Sequence, residues 1–324
     1  MFPSPKPGVV FIGLGIMGHR MLTNMTAHGG FSLLGGWDPS AEAVARTRAA
    51  FPDLAMAETP QALIEDPAAR VVYIACPPAA HGTHARAAAA AGKAVFCEKP
   101  LGVDLAESRA LVARIEEAGI KNAVNFPFAE AQAVNAIETA LKAGSLGAVA
   151  GADVRLHFAR WPRDWQAGAA WLAERAEGGY VREVFSHFAY LIRRLLGPAE
   201  LVSADLRYPG DPALCETHVL ARFDCDGIPV TLAGGTGGSG PDRVEFTLWG
   251  EARSYRLWDW NRLKSSDGTA WRDELTEIAD PRQDGYMRML DNVLAFLEDR
   301  PHTMSSFREA LAVQELIEAI LAGK

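Results

Sequence analysis

Residues 9–21 read VVFIGLGIMGHRM, a short apolar run followed by three glycines spaced as G-x-G-x-x-G. The run predicts a buried strand, and the residues after Gly15 predict a helix. Gly13 suits a tight turn, Gly15 leaves room for a pyrophosphate beside the backbone, and Gly18 lets the helix pack closely on the strand. The stretch therefore predicts the first βαβ unit of a dinucleotide-binding domain, with its helix N-terminus facing the phosphates.

An acidic residue follows the second apolar run of the chain. Asp38 lies 20 positions after Gly18, in the stretch LLGGWDPS at 33–40. At this distance a carboxylate is placed to accept hydrogen bonds from a ribose, and its charge would repel a 2′-phosphate. The position favours NAD(H) as the cofactor. The nearby Arg46 and Arg48 leave NADP(H) open, because either guanidinium could hold a phosphate.

Up to about residue 123, short apolar runs alternate with helical stretches. Apolar strands separated by helices indicate a parallel sheet covered on both faces. The predicted strands are 9–12, 31–36, 71–75, 94–97 and 121–125, and the predicted helices are 18–28, 41–51, 83–91 and 105–118. We therefore expect a Rossmann dinucleotide-binding domain over residues 1–123.

The pattern changes after about residue 148, where strand-like runs follow one another with only turns between them. Consecutive strands of this kind indicate an antiparallel sheet. The predicted strands are 150–158, 201–208, 216–223, 229–234, 243–249, 253–258 and 262–266, and the predicted helices are 129–143, 181–196, 285–299 and 305–322. The chain is thus predicted to be an α/β protein whose second domain, 124–324, is α+β with an open, mostly antiparallel sheet. The two terminal helices are candidates to pack back on the first domain.

The bulk composition is that of an ordinary globular protein. The 324 residues are 49% hydrophobic and 22% charged, with a formal net charge of −8. The acidic balance and the lack of a Lys/Arg run argue against nucleic-acid binding. The four cysteines form no CxxC pair, and no signal peptide or transmembrane run is recognisable. We expect a cytoplasmic protein with no membrane segment.

The stretch VFCEKPLG at 95–102 leads from an apolar strand directly into Glu98, Lys99 and Pro100. Proline restricts the preceding residue to extended geometry and prevents a helix from starting there. Lys99 is therefore expected in a constrained loop at the end of a buried strand. Taken alone, this pattern fits either a functional lysine or an ordinary surface lysine just outside a sheet.

Three longer stretches resemble the Gfo/Idh/MocA family of oxidoreductases. They are GLGIMG at 13–18, YIACPPAAHGTHARAAAAAGKAVFCEKPLG at 73–102 and GGYVREVFSHFAYLIRRLLG at 178–197, and the C-terminal stretch from Tyr286 is similar as well. The resemblance implies hydride transfer between a nicotinamide cofactor and a sugar or polyol. It also implies a homodimer or homotetramer formed through the sheet of the second domain.

Two other functions stay open at this point. One is oxidation or reduction of a non-sugar alcohol, a diol or an imine, because a fold does not determine its substrate. The other is a dinucleotide-binding regulator that has lost catalysis.

The resemblance assigns roles to the residues around Lys99. It implies that the lysine reaches the nicotinamide ribose and the reacting hydroxyl, that Glu98 lies beneath the nicotinamide, and that a cis Lys99–Pro100 bond would fit. The predicted cofactor-binding residues, from the glycine motif and the resemblance together, are Gly13, Gly15, Ile16, Met17, Gly18, Asp38, Cys76, Pro77, His81, Glu98 and Lys99.

A predicted helix carries the remaining catalytic candidates. The family usually has a D-x-x-x-H pair here, and the matching residues are Glu183 and His187. They are four positions apart and so share one helix face. The resemblance implies that His187 exchanges the proton of the substrate hydroxyl and that Glu183 orients it. Glu183 is longer than the usual aspartate, and Tyr190 stands where the family often has another acid. The alternative for His187 is a histidine of the hydrophobic core.

The segment ARWPRDWQAGAAWL at 159–172 is rich in tryptophan and arginine. Such side chains could stack on a sugar ring and bind its hydroxyls or a carboxylate, or the segment could be a packed loop. The predicted substrate residues are Asn125, Arg160, Trp161, Trp165 and Tyr190.

Two further sets of side chains have a structural interpretation. His81, His84 and Cys76 are too few for a zinc site, so we expect no metal. Trp249, Trp258 and Trp260 are candidate interface residues, because one face of the second sheet needs a cover.

Overall fold

A computed structural model describes residues 5–323 of the chain. The chain divides into two units. The first runs to Phe126 and also includes Tyr286–Leu311, and the second consists of Pro127–Gly285 and the residues from Ala312 onward. A domain boundary between residues 123 and 124 stays a prediction.

The first unit is a six-stranded parallel sheet with helices between the strands. Its strands are Gly8–Ile12 (β1), Ser32–Trp37 (β2), Ala55–Met56 (β3), Ala69–Ile74 (β4), Ala94–Glu98 (β5) and Asn122–Asn125 (β6). Its helices are Ile16–His28 (α1), Ala41–Ala50 (α2), Pro60–Ile64 (α3), Pro78–Ala90 (α4) and Leu105–Glu117 (α5). The strand order is β3-β2-β1-β4-β5-β6, and every neighbouring pair is parallel. This doubly wound order confirms the predicted Rossmann fold and places its switch point between β1 and β4, where ligands of such sheets bind.

The core of the first unit is built from fully buried strands. Every residue of β1 and of β5 is buried, as expected for central strands covered on both faces. Residues near the C-terminus add to the same core, because Met289, Leu290 and Val293 pack with Phe11 and Tyr73. Those three residues lie on a helix that spans Pro281–Leu297.

The second unit contains a larger sheet. After a 3₁₀ turn at Pro127–Ala129 come Gln132–Lys142 (α6), Val149–Phe158 (β7), a π-helical turn at Val181–Phe185 and Ser186–Leu196 (α7). The later strands are Glu200–Arg207 (β8), His218–Cys225 (β9), Ile228–Thr236 (β10), Arg243–Gly250 (β11), Ser254–Trp258 (β12), Arg262–Ser266 (β13) and Arg272–Glu274 (β14). The terminal helices are Pro281–Leu297 (α8) and Phe307–Leu321 (α9).

The second sheet has the order β14-β13-β12-β11-β7-β10-β9-β8. All of its pairs are antiparallel except β7 with β10, which agrees with the predicted mostly antiparallel sheet. The strands alternate buried and exposed residues, so one face packs inward while the other carries Val202, Leu220 and Trp249, each at least 40% exposed. Association of two copies through the exposed face stays a prediction.

The structure differs from the predicted elements where the sequence signal was short or the helix irregular. The two-residue β3, the five-residue α3 and the three-residue β14 were not predicted, because none is long enough to show a hydrophobic period. The helix α4 begins at Pro78 rather than residue 83, since proline is tolerated in a first helical turn. The predicted helix 181–196 is a π-helical turn followed by α7.

Candidate active site

The three glycines after β1 behave as the motif predicts. Gly13 has a φ of +98°, and a Cβ there would lie 2.5 Å from the Ala75 carbonyl. A Cβ on Gly18 would lie 2.0 Å from the Gly13 oxygen, so the helix can approach the turn only without a side chain. A Cβ on Gly15, by contrast, would meet no atom within 4 Å among the described residues. The turn is therefore crowded on the protein side and open at Gly15, which fits a dinucleotide pyrophosphate at the start of α1.

Asp38 lies at this same turn. Its Oδ2 accepts a hydrogen bond from the Leu14 amide at 2.7 Å, and its Oδ1 accepts one from the Ser40 amide at 2.8 Å. Each carboxylate oxygen keeps further lone-pair capacity, which a ribose hydroxyl could use. Arg46 donates to the Leu14 carbonyl at 3.2 Å, so a cation and an anion flank one residue of the glycine turn.

The segment Cys76–Pro77, at the start of α4, follows β4 and lies next to the glycine turn. Pro77 is exposed, and Cys76 is half-buried. His81 is 1% exposed, and its two ring nitrogens lie 2.9 Å from the Cys76 carbonyl and 2.8 Å from the Pro100 carbonyl. His81 thereby joins the loops that follow β4 and β5.

The same histidine is held in its neutral form. Burial lowers the pKa of His81 to about 4, against the opposing effect of the two carbonyl groups. A neutral imidazole carries one N–H, so His81 donates to only one of the two carbonyls at a time.

A buried carboxylate lies at the end of β5. Glu98 is 4% exposed, and its Oε1 accepts from the Tyr73 hydroxyl at 2.5 Å and from the Asn125 side-chain amide at 2.8 Å. Burial, followed by the charge of Glu98, raises the pKa of Tyr73 well above its ordinary value, so the phenol keeps its proton and donates it. Asn125 was predicted to contact substrate. The structure directs its amide nitrogen onto Glu98, and its Oδ1 has no hydrogen-bond partner within residues 5–323.

Lys99 follows Glu98 directly and is partly buried. The Lys99–Pro100 peptide bond is cis, as expected. The loop that carries Lys99 is anchored on both sides, by the buried Glu98 and by the Pro100 carbonyl that His81 contacts.

In the second unit, His187 lies at the start of α7 between aromatic rings. The side chain is 8% exposed. The Trp260 ring is nearly perpendicular to the imidazole, at 88° with centroids 5.5 Å apart, and the Phe128 ring lies 5.9 Å away at 68°. Edge-to-face contacts of this kind fix the plane of a ring. His187 is therefore a buried, oriented histidine, as both a proton-transfer role and a core role would require.

Glu183 lies in the π-helical turn one turn before His187. Its amide donates to the Gly179 carbonyl at 3.0 Å. A π-helical turn inserted before an α-helix is rare and occurs often at functional sites. Residues four apart still lie near one face of this wider turn. The pairing of Glu183 with His187 stays a prediction.

The two glycines before this turn allow other parts of the second unit to pack closely against the backbone. A Cβ on Gly178 would lie 2.4 Å from the Leu172 carbonyl oxygen. Gly179 has a φ of +95°, and a Cβ there would lie 2.4 Å from a carboxylate oxygen of Glu216. Glu216 accepts from the Val181 amide at 2.8 Å and so caps the helix that carries both catalytic candidates. Sequence reasoning missed Glu216, because nothing in its local pattern links it to a helix 35 residues earlier.

The segment 159–172 forms an aromatic cluster around Arg163. The guanidinium carbon of Arg163 lies 4.7 Å from the Trp165 ring centroid and 5.6 Å from that of Trp161. The Trp161 indole donates to the Leu172 carbonyl at 3.0 Å, so its polar edge serves the loop. Trp165 is 49% exposed, and Arg160 is exposed and pairs with Asp164 at 3.4 Å. Of the predicted substrate residues here, Trp165 and Arg160 present the most surface.

Two other predicted residues are packed against their neighbours. Tyr190 is 7% exposed on α7, and its role as a substrate residue stays a prediction. The ring of Trp260 contacts His187 and Phe128, and an interface role for Trp260 stays a prediction. The signal that could have found Trp260 is weak, because a tryptophan in a hairpin loop has no fixed spacing from a helix residue 73 positions earlier.

Two comparisons with known families cover most of the chain. Residues 8–126 match the oxidoreductase family model described as an NAD-binding Rossmann fold, and residues 134–256 match the C-terminal domain of the same family. The chain belongs to the Gfo/Idh/MocA family of oxidoreductases. Its glycine turn and Asp38 lie within the part of the chain that matches the NAD-binding Rossmann fold of this family.

Individual members of the Gfo/Idh/MocA family are similar to parts of the chain. The 1,5-anhydro-D-fructose reductase of Ensifer adhaerens is 34% identical over 44% of the chain and 42% of its own length. The scyllo-inositol 2-dehydrogenase (NAD(+)) of Bacillus subtilis is 31% identical over 59% of the chain and 54% of its own length. The chain therefore spans about half the length of the curated relatives it matches.

A solved structure shows the same fold over nearly the whole chain. It is an oxidoreductase from Agrobacterium radiobacter in complex with NAD+, L-tartaric acid and magnesium, with a TM-score of 0.85 and 18% identity. The match covers 98% of this chain and 96% of that one. At this identity the likeness establishes the fold of the family and no more.

Residues 5–323 contain neither a cluster of metal-ligating side chains nor a helix able to span a membrane. No group of three or more His, Cys, Asp or Glu side chains in that range has an arrangement that could hold a metal ion. No helix in the same range is both long and apolar enough to cross a bilayer.

Glu216 gives this family member an expected pH dependence of stability. Burial raises the pKa of Glu216 from 4.5 to about 7, against the Val181 amide and Arg182, which favour the charged form. Because the folded state binds this proton more tightly than the unfolded state, the stabilising contribution is complete below about pH 4.5 and is lost as the pH rises through about 7. The loss is roughly 3 kcal/mol.

Urea denaturation at several pH values tests this expectation. The variant Glu216→Gln carries no titrating proton at this position. Between pH 5 and pH 8 the free energy of unfolding of the wild type should therefore fall by roughly 3 kcal/mol relative to that of the variant. Glu200→Gln, at an exposed carboxylate of β8, is the matched control. Parallel pH curves for the wild type and Glu216→Gln would show that Glu216 has an ordinary pKa.

Proposed function

We propose that the chain is a nicotinamide-dependent oxidoreductase that interconverts a hydroxyl and a carbonyl group of a sugar or polyol. The observation that carries the proposal is the hydrogen bond from the Leu14 amide to Asp38, which fixes a ribose-binding acid at an open glycine turn. The sugar class is supported by the names of the reductase and the inositol dehydrogenase that the chain resembles.

In this proposal NAD(H) is held by the glycine turn and by Asp38. When bound, the nicotinamide supplies the hydride-accepting or hydride-donating carbon. Asp38 would repel the extra phosphate of NADP(H), so we expect NAD(H) to be preferred. Arg46 donates to the Leu14 carbonyl, and its positive charge at this turn could lessen the preference for NAD(H) over NADP(H).

Proton transfer is assigned to His187. In the oxidation direction its imidazole takes the proton of the substrate hydroxyl while the hydride leaves the same carbon, and a carbonyl group results. The aromatic rings of Trp260 and Phe128 hold the imidazole in one plane. Glu183 is assigned to orient His187, and Lys99 to donate a hydrogen bond to the substrate oxygen as negative charge develops on it.

The first experiment is to follow nicotinamide absorbance with NAD⁺ and then NADP⁺ across aldoses, polyols, sugar acids and cyclic diols. We expect turnover with one sugar or polyol class and a higher kcat/KM with NAD⁺. The variant Lys99→Ala should lower kcat/KM about 10²-fold, as the loss of one donor to a developing oxyanion does. Lys93→Ala is a matched control, because the Lys93 ammonium contacts backbone carbonyls of Asp66 and Ala69.

Each outcome bears on the proposal. Turnover confined to cyclic diols would move the substrate class away from sugars. Measurable NADH binding without turnover on any substrate would favour a dinucleotide-binding regulator. The absence of NADH binding would contradict the proposal, because every step of it requires a bound nicotinamide dinucleotide.

A further inference from the structure

The hairpin between β12 and β13 has a backbone that its sequence does not favour. Asp259 has a φ of +46° and Trp260 a φ of +67°. Glycine and asparagine are the residues that normally adopt the left-handed conformation in a hairpin loop, because the Cβ of most other residues comes too close to the following carbonyl oxygen. Strain of this kind persists where the surrounding structure requires it, and it is concentrated at functional sites.

This backbone directs the Trp260 ring at the catalytic candidate of α7. The ring is perpendicular to the His187 imidazole, with centroids 5.5 Å apart. It also lies 6.3 Å from the Phe128 ring and 6.2 Å from the Phe188 ring. The His187 imidazole thus lies against one ring from a 3₁₀ turn and one from a hairpin far along the chain.

The hairpin is also connected to the segment 159–172. The guanidinium carbon of Arg163 lies 5.8 Å from the Trp260 ring centroid and 4.7 Å from that of Trp165. Arg163 Nε donates to Gln166 at 3.0 Å, which fixes the guanidinium between the two tryptophans. One continuous aromatic and cationic row therefore extends from the exposed Trp165 to the buried His187.

From these contacts we propose that Trp260 is a positioning residue for His187, which fixes the plane of the imidazole and excludes water from one side of it. The inference rests on the proposed role of His187 in proton transfer. This role accounts for the left-handed backbone at Trp260, because the indole contacts the imidazole in that backbone geometry.

Substitutions at Trp260 separate positioning from folding. Trp260→Phe keeps an edge-to-face ring, and we expect it to retain kcat within about threefold. Trp260→Leu keeps an apolar side chain without a ring and should lower kcat about 100-fold with little change in KM, as misplacement of a reacting group does. Trp260→Gly should lower kcat as much. Because glycine suits the φ of +67°, a loss of thermal stability in this variant reports the missing ring contacts rather than backbone strain.

The neighbouring Trp258 is the matched control. Its ring lies in the same hairpin and contacts Arg262 and Lys264. Trp258→Leu should lower the melting temperature and leave kcat within about threefold. The proposal is wrong if kcat survives in Trp260→Leu, or if kcat follows the melting temperature across all four variants.

A readout without substrate keeps this test separate from the proposed function. The ring protons of His187 can be followed by NMR and assigned among the 8 histidines with His187→Gln. The indole ring current should shift these signals in the wild type, and Trp260→Leu should move them while Trp258→Leu does not. An unmoved His187 signal would overturn the placement of Trp260. A moved signal in a protein without turnover would uphold the placement and contradict the proposed function instead.

Discussion

Replacement of His187 by glutamine is expected to lower kcat by about 10²- to 10⁴-fold, the usual contribution of a positioned acid–base group. Glutamine keeps a polar side chain of similar size but takes no proton at neutral pH. NADH affinity should remain within a few-fold of the wild type, since the residues proposed to hold the nucleotide, Asp38 and the glycine turn, belong to other elements. Steady-state kinetics with the best substrate, together with NADH fluorescence titration, measure both quantities.

A second histidine of the same unit provides the control. His218 lies at the start of β9 and is exposed. His218→Gln should leave kcat and KM unchanged. If His187→Gln turned over at the wild-type rate at every pH, the proton acceptor would have to be another group, and the role assigned to Trp260 would lose its basis.

The geometry of the glycine turn could be predicted because its requirements are local. Gly13, Gly15 and Gly18 lie within six residues. Gly13 and Gly18 leave no room for a Cβ beside backbone atoms, whereas the space at Gly15 is open. Asp38 follows at the end of the next strand, which the parallel sheet places beside the first. A pattern of residue types at fixed spacing is enough to predict such a unit.

The environment of His187 could not be predicted in the same way. Trp260 and Phe128 reach the imidazole from elements that only the folded chain brings together. A tryptophan in a hairpin loop belongs to neither a helical nor a strand period. The sequence therefore could not distinguish an interface role from a position beside His187. The hydrogen bond from Asn125 to Glu98 likewise depends on the pairing of β5 with β6, and a substrate contact of Asn125 stays a prediction.

The most consequential residue missed by the sequence pattern stabilises the start of α7. Arg182 directly precedes Glu183 in the π-helical turn. It is 9% exposed, and its guanidinium makes a two-point contact with Glu318 of α9 at 2.7 and 2.9 Å. Its remaining nitrogen donates to the carbonyls of Arg175 and Gly178 at 2.8 and 3.2 Å.

Arg182→Met is therefore expected to destabilise the protein by about 3 to 5 kcal/mol, the usual result of removing one partner of a buried ion pair. Methionine fills much of the same volume but leaves the Glu318 carboxylate, 17% exposed, without its partner. It also removes the positive charge that lowers the pKa of Glu216, so the proton of Glu216 should be held more tightly still. Urea denaturation at pH 7 gives the free energy of unfolding.

The double variant Arg182→Met/Glu318→Leu separates the unpaired charge from the lost contact. Removing both charges takes away the desolvation cost, so the double variant should recover much of the stability that the single variant loses. Arg300→Met, at an ion pair with Glu298 whose side chains are 56% and 48% exposed, should change stability by no more than about 1 kcal/mol. Equal losses in the single and double variants would mean that the two carbonyl contacts of Arg182, rather than its ion pair, hold the π-helical turn in place.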